Sequence, residues 1–220
     1  TITNKEYKKL IFLPNTKSFL KDRVLDLINN DKKNIGLFIS AKDERKIWDF
    51  NNWYEIINKI TKNFECNFFL LGGPTDKELN ISFLKNYKLK NIDFVNFAGL
   101  VSLSESLSIM KQCDLYLGND ASPMHMSAFS GCHCISVFCN WEMYGLWEPI
   151  IGISSVSHRP SINYKKFPDD CCINSIRYQN VLNDIEDFFN NRHKKNKHII
   201  REHLTNGKVR SFLFKDRLFF

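Results

Sequence analysis

The stretch DLYLGNDASPMHMSAFSGCHCISVF, residues 114–138, carries the clearest structural signals in this chain of 220 residues. It predicts a strand, a tight turn, a short helix over 123–129, a second turn and another strand. Ser122 is a favourable N-cap, Pro123 suits the first helical position, and Gly131 suits the position just past the helix. Because the free N–H groups at a helix start attract anions, this turn predicts a pocket for a group such as a diphosphate.

The same alternation of short apolar runs and helix-length amphipathic segments extends outward from this stretch. The runs that predict strands are residues 35–40, 67–71, 94–97, 114–118, 134–138 and 151–156. The segments that predict helices are residues 50–63, 76–86, 103–112, 123–129 and 180–190. Strands that are apolar on successive residues are typical of parallel sheets covered on both faces. The pattern therefore predicts an α/β fold with a Rossmann-like, doubly wound parallel sheet.

Polar residues and glycines follow the predicted strands, and right-handed crossovers place these strand ends on one rim of the sheet. Ser40 and Lys46 follow the first strand, and GGPTD at 72–76 follows the second. Lysine is a compact charge suited to a phosphate, Asp120 could accept a hydrogen bond from a sugar hydroxyl, and His125 could donate to the same anion. Simpler alternatives stay open: a solvated loop lysine, an ordinary glycine turn and a structural helix histidine.

Charge divides the chain into a neutral body and a basic end. Residues 192–220 hold nine of the 31 Lys and Arg and two of the 24 Asp and Glu, which leaves 22 of each sign before them. We therefore predict a lead-in segment (1–34), one Rossmann-like domain (35–191) and a basic tail (192–220). The tail could be a solvated end, or it could contact an anionic membrane surface. The body carries no recognisable nucleic-acid module, so we expect no nucleic-acid partner.

The composition argues against several other classes of protein. Seven cysteines do not suggest a disulfide framework, and reduced, buried thiols are the better interpretation. Cys132, His133 and Cys134 lack the second pair that would complete a zinc site, so we expect no metal. No run approaches the roughly 20 apolar residues of a membrane-spanning helix, and the first residues do not show the charged-then-apolar pattern typical of a signal peptide. Because the first residue is Thr, we expect an upstream part to be missing.

The turn NDASPMH at 119–125, followed by a small-residue helix, Gly131 and an apolar strand, resembles the signature of glycosyltransferase family 9. These are the ADP-heptose:lipopolysaccharide heptosyltransferases, whose usual turn is Asp-Thr-Gly-Pro-Met-His. Ala121 and Ser122 stand where Thr and Gly are usual. The resemblance covers roughly residues 10–190. Its other motifs, in the expected order, are Lys-x-Trp at 46–48, Gly-Gly at 72–73, Ser-Leu at 102–103 and Trp-Glu-Pro at 147–149.

The resemblance implies one domain of a GT-B type glycosyltransferase, in which two Rossmann-like domains face each other and the C-terminal one binds the nucleotide-sugar donor. It implies inverting, metal-independent transfer without a cofactor. The implied donor sugar is ADP-linked, as in ADP-heptose, and the implied acceptor is a lipopolysaccharide core or related glycan. Lys46 and His125 would stabilise the leaving group, and the general base would lie in a missing N-terminal domain that binds a lipid-linked glycan acceptor. The implied donor contacts are Ser40, Lys46, Gly73, Asp76, Val101 (near the base), Asp120, Ala121, Ser122 and His125.

The resemblance also implies a cytoplasmic location, with a peripheral contact of the basic tail at the inner face of the inner membrane. Two alternative functions stay open. A non-catalytic nucleotide-binding or scaffold domain is consistent with the departures at 121 and 122, and retained nucleotide affinity would count against a pure scaffold. A sugar-nucleotide epimerase of similar two-domain architecture should show an additional cluster of carboxylates and arginines near the donor.

Overall fold

A single sheet organises the part of the chain that the structure, a computed structural model, describes: residues 28, 31–89, 92–139, 154–160, 172–192, 197–204 and 206–213. The strand order is β3-β2-β1-β4-β5-β6-β7-β8. All neighbouring strands are parallel except β8, which runs antiparallel to β7. The strands are β1 (Lys33–Phe38), β2 (Cys66–Leu70), β3 (Asp93–Asn96), β4 (Leu115–Asn119), β5 (His133–Val137), β6 (Ser155–Pro160), β7 (His198–His203) and β8 (Val209–Leu213).

Helices cover both faces of the sheet, which confirms the predicted doubly wound α/β fold. They are α1 (Phe50–Asn63), α2 (Lys77–Tyr87), α3 (Leu103–Lys111), α4 (Ser122–Ser130) and α5 (Tyr178–Phe189). One apolar cluster joins the sheet to α1, α2 and α5, and a second joins the other face to α3 and α4. The two clusters explain why the central strands are apolar on successive residues.

Strand β2 shows this two-sided burial directly. Phe68 and Leu70 belong to the cluster under α1, while Phe69 and the following Leu71 belong to the cluster under α3 and α4. All four side chains are at most 2% exposed. Successive side chains of a strand point to opposite faces. In a strand that is buried on both sides, neither face reaches water, so successive positions are apolar.

Most predicted elements form within two residues of their expected limits, but two local predictions are wrong. The sixth strand was expected at 151–156 and forms instead at Ser155–Pro160, while residues 151–153 lie outside the described part of the chain. Ser122 was expected to cap α4, whereas Ala121 is the cap residue and Ser122 begins the helix. Ala121 is extended (φ −157°, ψ 170°), so the helix starts one residue earlier than the side-chain preferences suggest.

The expected domain limits of 35–191 are narrower than the sheet. Its first strand begins at Lys33, and β7 and β8 come from the segment that was predicted to be a basic tail. The charges of these strands are neutralised within the fold, since Arg201 pairs with Asp184 and Arg210 with Glu202. A prediction from composition alone cannot detect these ion pairs and therefore treats the charged residues as a solvated end. The lead-in segment and the Trp-Glu-Pro motif at 147–149 lie almost wholly outside the described residues.

Four cysteines in the described residues agree with the expected buried thiols. Cys66, Cys113, Cys132 and Cys134 are free and buried. Burial raises the pKa of Cys66 and of Cys134 to about 12, so both thiols are neutral at ordinary pH. Cys139, by contrast, is disulfide-bonded, so the expectation of reduced thiols is wrong at that position.

Candidate functional site

A cleft opens where the winding of the sheet reverses direction. The chain proceeds from β1 outward through β2 and β3, and then returns to the other side of β1 as β4. Ligands of open α/β sheets bind at such a switch point, outside the carboxyl ends of the strands. The cleft at this position has a volume of about 1490 Å³, and its walls include the residues that follow β1, β2 and β4.

The cleft brings together eight of the nine residues implied to contact a donor. Val101 comes from the loop before α3, and His125 is the residue that does not line the cleft. His125 lies half-buried in the first turns of α4. The implied contacts that line the cleft are Ser40, Lys46, Gly73, Asp76, Val101, Asp120, Ala121 and Ser122.

A short 3-10 turn after β1 carries Lys46 to the switch point. Asp43 caps this turn, because its carboxylate accepts from the backbone N–H of Arg45 at 3.0 Å and from guanidinium Nη2 of Arg45 at 2.7 Å. These hydrogen bonds from Arg45, the side-chain ones foremost, lower the pKa of Asp43 to about 2. At the end of the turn, Nζ of Lys46 lies 2.7 Å from Oδ2 of Asp120. The predicted cation and the predicted hydroxyl acceptor are therefore ion-paired with each other.

Buried anchors fix both ends of the loop at 40–48. The fully buried Asn119 donates from Nδ2 to the carbonyl of Ile39 at 2.9 Å and accepts at Oδ1 from the backbone N–H of Trp48 at 3.4 Å. The indole N–H of Trp48, itself fully buried, donates to the carbonyl of Ile176 at 3.2 Å. Residues 41–47 between these anchors are half-exposed or exposed, so only the ends of the loop are held by the core.

The glycine turn after β2 is tied to the end of β1 by one carboxylate. Asp76 accepts from the hydroxyl of Ser40 at 2.6 Å and from the backbone N–H of Gly73 at 2.7 Å. The carbonyl of Gly72 accepts from the N–H of Gly99 at 3.2 Å. Asp76 thus braces two walls of the cleft against each other, a contact that its position in the sequence did not indicate.

The start of α4 borders the cleft without a side-chain cap. Ala121 has no hydroxyl or carboxylate to accept from the first-turn N–H groups, and Pro123 follows near the helix start. At the other end, Gly131 is left-handed (φ 88°), as the sequence predicted for the helix terminator. Met124 donates its N–H to the carbonyl of Ala121 at 3.0 Å and Pro123 has no N–H, so the backbone donor left at the helix start is that of Ser122. This N–H and the helix dipole favour an anion at this wall of the cleft.

Part of the cleft wall is apolar, and apart from Val101 it was not identified from the sequence. It comes from α3, α4 and the strand ends, and its side chains suit the flat, apolar face of a nucleobase. The one available signal was the helical spacing of residues 103, 106 and 110 on α3, which places them on one face. The residues concerned are Phe38, Leu71, Val101, Leu103, Met110 and Met126.

Two further kinds of feature are absent from the described ranges. No group of three or more His, Cys, Asp or Glu side chains there could hold a metal ion. None of the helices described is both long and apolar enough to cross a membrane.

The strand order, the uncapped helix start and the lysine at the switch point define a Rossmann-like domain with a cleft suited to a phosphorylated ligand. A family model described as glycosyltransferase family 9 (heptosyltransferase) matches residues 9–166. The chain therefore belongs to this family of glycosyltransferases, as its NDASPMH turn had indicated.

Similar proteins support the same family. Lipopolysaccharide heptosyltransferase 1 of Campylobacter coli is 25% identical over 166 residues, which cover 74% of this chain and 48% of that protein. Lipooligosaccharide heptosyltransferase 2 of Campylobacter jejuni is 25% identical over 113 residues, covering 51% of this chain and 35% of that protein. The chain thus spans less than half the length of these curated relatives.

A solved structure shows the same fold. The ADP-heptose lipopolysaccharide heptosyltransferase II of E. coli matches with a TM-score of 0.62 and 15% sequence identity, over 79% of this chain and 53% of that one. The fold of the present chain is accordingly that of one domain of a GT-B type glycosyltransferase.

Proposed function

We propose that this chain is the donor-binding part of a heptosyltransferase, and that its cleft binds a nucleotide-diphosphate sugar, with ADP-heptose as the donor. One observation carries the proposal: a lysine and an uncapped helix start face the same cleft at the switch point of the sheet. Lys46 and the start of α4 at Ser122 lie where a diphosphate would be bound by a cation, by the N–H of Ser122 and by the positive end of the helix dipole.

The remaining walls suggest where the other parts of the donor bind. The apolar side, which includes Val101 and Met126, suits the base, and Asp120 is placed to accept from a sugar hydroxyl. Lys46 and the helix start would stabilise the negative charge that develops on the leaving diphosphate, without a metal or other cofactor. His125 lies outside the cleft lining, so its contribution would be indirect.

The complete reaction requires groups beyond this cleft. In the proposed inverting transfer, a base deprotonates an acceptor hydroxyl, which attacks the anomeric carbon as the diphosphate leaves. We assign that base, and the binding of a lipid-linked lipopolysaccharide core or related glycan, to the part of the relatives that this chain does not span. Such an acceptor would place the protein in the cytoplasm at the inner face of the inner membrane. The basic residues of 192–220 would favour an anionic surface there, even though Arg201 is paired with Asp184 and Arg210 with Glu202.

Calorimetric titration of ADP, UDP and GDP, without added metal, tests the proposed donor site. We expect binding of ADP in preference to the other two, and Lys46→Ala should weaken it by roughly tenfold or more, since a charge-assisted phosphate contact is lost. Lys32→Ala is the matched control, because Lys32 also pairs with an aspartate, Asp93, at 2.6 Å but lies at the opposite rim of the sheet. His125→Ala should have a smaller effect than Lys46→Ala.

The result also separates the proposal from its alternatives. Binding of none of the three nucleotides would refute the donor site and favour a scaffold domain, consistent with the loss of a hydroxyl at Ala121. Selective binding of UDP or GDP would keep the donor site but change the donor. Family membership favours transfer over epimerisation, since the matching family model describes heptosyltransferases.

A further inference from the structure

The ion pair between Lys46 and Asp120 occupies the position that the proposed diphosphate needs. The two residues are 74 positions apart in the sequence and meet across the switch point, with Nζ of Lys46 at 2.7 Å from Oδ2 of Asp120. The carboxylate is the more buried partner, with 12% of the Asp120 side chain exposed against 31% for Lys46. The lysine is therefore neutralised by a group that belongs to the site itself.

Asp120 is held more firmly than the lysine. Its backbone N–H donates to the carbonyl of Val137 at 3.0 Å, and it directly follows the fully buried Asn119. Lys46 has a long flexible side chain on a surface turn, so the lysine is the partner that can move. The other cation of the turn, Arg45, is paired with Asp43 at 2.7 Å.

The cleft as a whole does not carry an excess of positive charge. Its lining contains three basic side chains and four acidic ones. A diphosphate that approaches the start of α4 meets the carboxylate of Asp120 at close range, and this repulsion opposes binding. The charged lining residues are Lys42, Arg45, Lys46, Asp43, Glu44, Asp76 and Asp120.

We propose that Asp120 is the resident counter-ion of Lys46, and that it sets how tightly the site holds a nucleoside diphosphate. When the diphosphate binds, Lys46 exchanges the carboxylate for phosphate oxygens, and no covalent bond changes. When the nucleoside diphosphate leaves, the ion pair between Asp120 and Lys46 forms again. The exchange rests on the proposed function, because it assigns Lys46 to the diphosphate of the donor.

The exchange has a consequence for turnover. A donor sugar offers hydroxyl groups to Asp120, and these can satisfy the carboxylate after it has lost the lysine. A nucleoside diphosphate lacks the sugar, so its binding leaves Asp120 beside phosphate oxygens without that compensation. Asp120 would thereby favour release of the product, a step that limits the rate of many enzymes.

Replacement of Asp120 by its neutral isostere tests the exchange. We would titrate ADP and inorganic pyrophosphate into the wild-type chain, Asp120→Asn and Asp93→Asn. Asp120→Asn should bind both probes more tightly, by about fivefold or more, since the competing partner of a partly buried pair is removed. Asp93→Asn changes the net charge equally and breaks a lysine pair of similar length, yet it should leave both affinities unchanged.

The outcomes distinguish failure of the exchange from failure of the proposed function. If the wild type binds ADP and Lys46→Ala weakens it, but Asp120→Asn binds no tighter, the donor site stands and the exchange is overturned. Equal tightening by Asp93→Asn would also overturn it, because net charge alone would then explain the effect. If none of the variants binds either probe, both proposals fail. Asp120→Ser replaces Asp120→Asn as the neutral variant if the latter does not fold, as judged by circular dichroism.

Discussion

At the scale of single residues, the uncharged side chain of Asn119 links three segments of the chain next to the cleft. Its fully buried amide donates to the carbonyl of Ile39 and accepts from the backbone N–H of Trp48, so it joins the end of β1, the end of the following loop and the end of β4. No ligand can contact a side chain without exposed surface. Asn119 therefore acts on the cleft by positioning the loop that carries Lys46.

We expect Asn119→Ala to lower the free energy of unfolding by about 2 kcal/mol or more, because buried backbone groups lose their partners. Urea denaturation followed by circular dichroism measures this loss. The same variant should weaken ADP binding and speed proteolysis within the loop at 40–48.

Asn34→Ala is the matched control for Asn119. Asn34 is also buried and hydrogen-bonded, to Asn67 at 2.9 Å, but it lies at the amino end of β1, away from the cleft. It should lower stability without changing ADP affinity in the folded protein. If both variants bind ADP like the wild type, Asn119 contributes to stability alone.

At the scale of elements, the two glycines after β2 have different structural requirements. Gly72 has φ of 143°, and a Cβ there would lie 2.7 Å from Cβ of Asp76. Gly73 has φ of −81°, which any residue adopts, and its added Cβ would approach no atom closer than Oδ2 of Asp76 at 3.8 Å. The turn therefore needs glycine at the first position only.

Gly72→Ala should destabilise the protein by about 1–3 kcal/mol, because it combines an unfavourable backbone conformation with a clash. It should also weaken ADP binding, since Asp76 must move away from Ser40 and Gly73. Gly73→Ala keeps the N–H that donates to Asp76 and should differ little from the wild type. Thermal unfolding of the pair measures the difference, and equal losses for the two would contradict this assignment.

At the scale of the whole molecule, a buried polar network attaches β7 to β6 and α5. Nδ1 of His158 lies 3.0 Å from Nε2 of His203, and Nε2 of His158 lies 3.3 Å from Oδ2 of Asp184. Arg201 donates from Nε to the same Asp184 at 3.0 Å. Because one imidazole nitrogen must donate and the other accept, the two histidines cannot both be protonated without breaking their contact.

This network makes stability depend on pH. Burial foremost, and then the charges of His158, Arg201 and Arg177, lower the pKa of His203 from 6.5 to about 3, against the opposing effect of the Asp184 carboxylate. The folded protein keeps His203 neutral, whereas the unfolded chain protonates it near pH 6.5. Acidification below pH 6.5 therefore favours unfolding, by up to about 1.4 kcal/mol per pH unit for one proton, down to about pH 3.

Urea midpoints measured between pH 7.5 and 4 check this dependence, and His203→Gln should give a shallower slope. Asp184 adds a separate contribution: burial raises its pKa, but His158 and Arg201 lower it further, to a value below its usual 3.8. That contribution is present above pH 3.8 and is lost only as the pH falls below it. A wild-type midpoint that stays constant down to pH 4 would be incompatible with a neutral, buried His203.

Removal of residues 192–220 should destabilise the domain rather than leave it intact. The truncation deletes β7 and β8, exposes the edge of β6 and leaves Asp184, whose side chain is 7% exposed, without Arg201. Breaking a buried ion pair by loss of one partner costs about 3–5 kcal/mol. A truncated chain that unfolds at the same urea concentration as the full chain would show that this segment is a separate tail.

Features that depend on residues adjacent in the chain could be predicted without the structure. Two-sided apolar runs gave the parallel strands, Gly131 gave the end of α4, and the NDASPMH turn gave the family. These signals are local, because backbone preference, helix termination and strand burial are each encoded within a few residues. Predictions from such local signals placed the α4 cap one residue too late and the start of β6 four residues too early.

The way in which distant residues combine could be seen only in the folded protein. The pairing of Lys46 with Asp120, the bracing of Ser40 by Asp76 and the exclusion of His125 from the cleft lining depend on which strand ends become neighbours. The charged strand β7 could not be recognised, because Arg201 is acceptable in the sheet only when α5 supplies Asp184. Such contacts join groups far apart in the chain, and their free energy appears only after the sheet has formed.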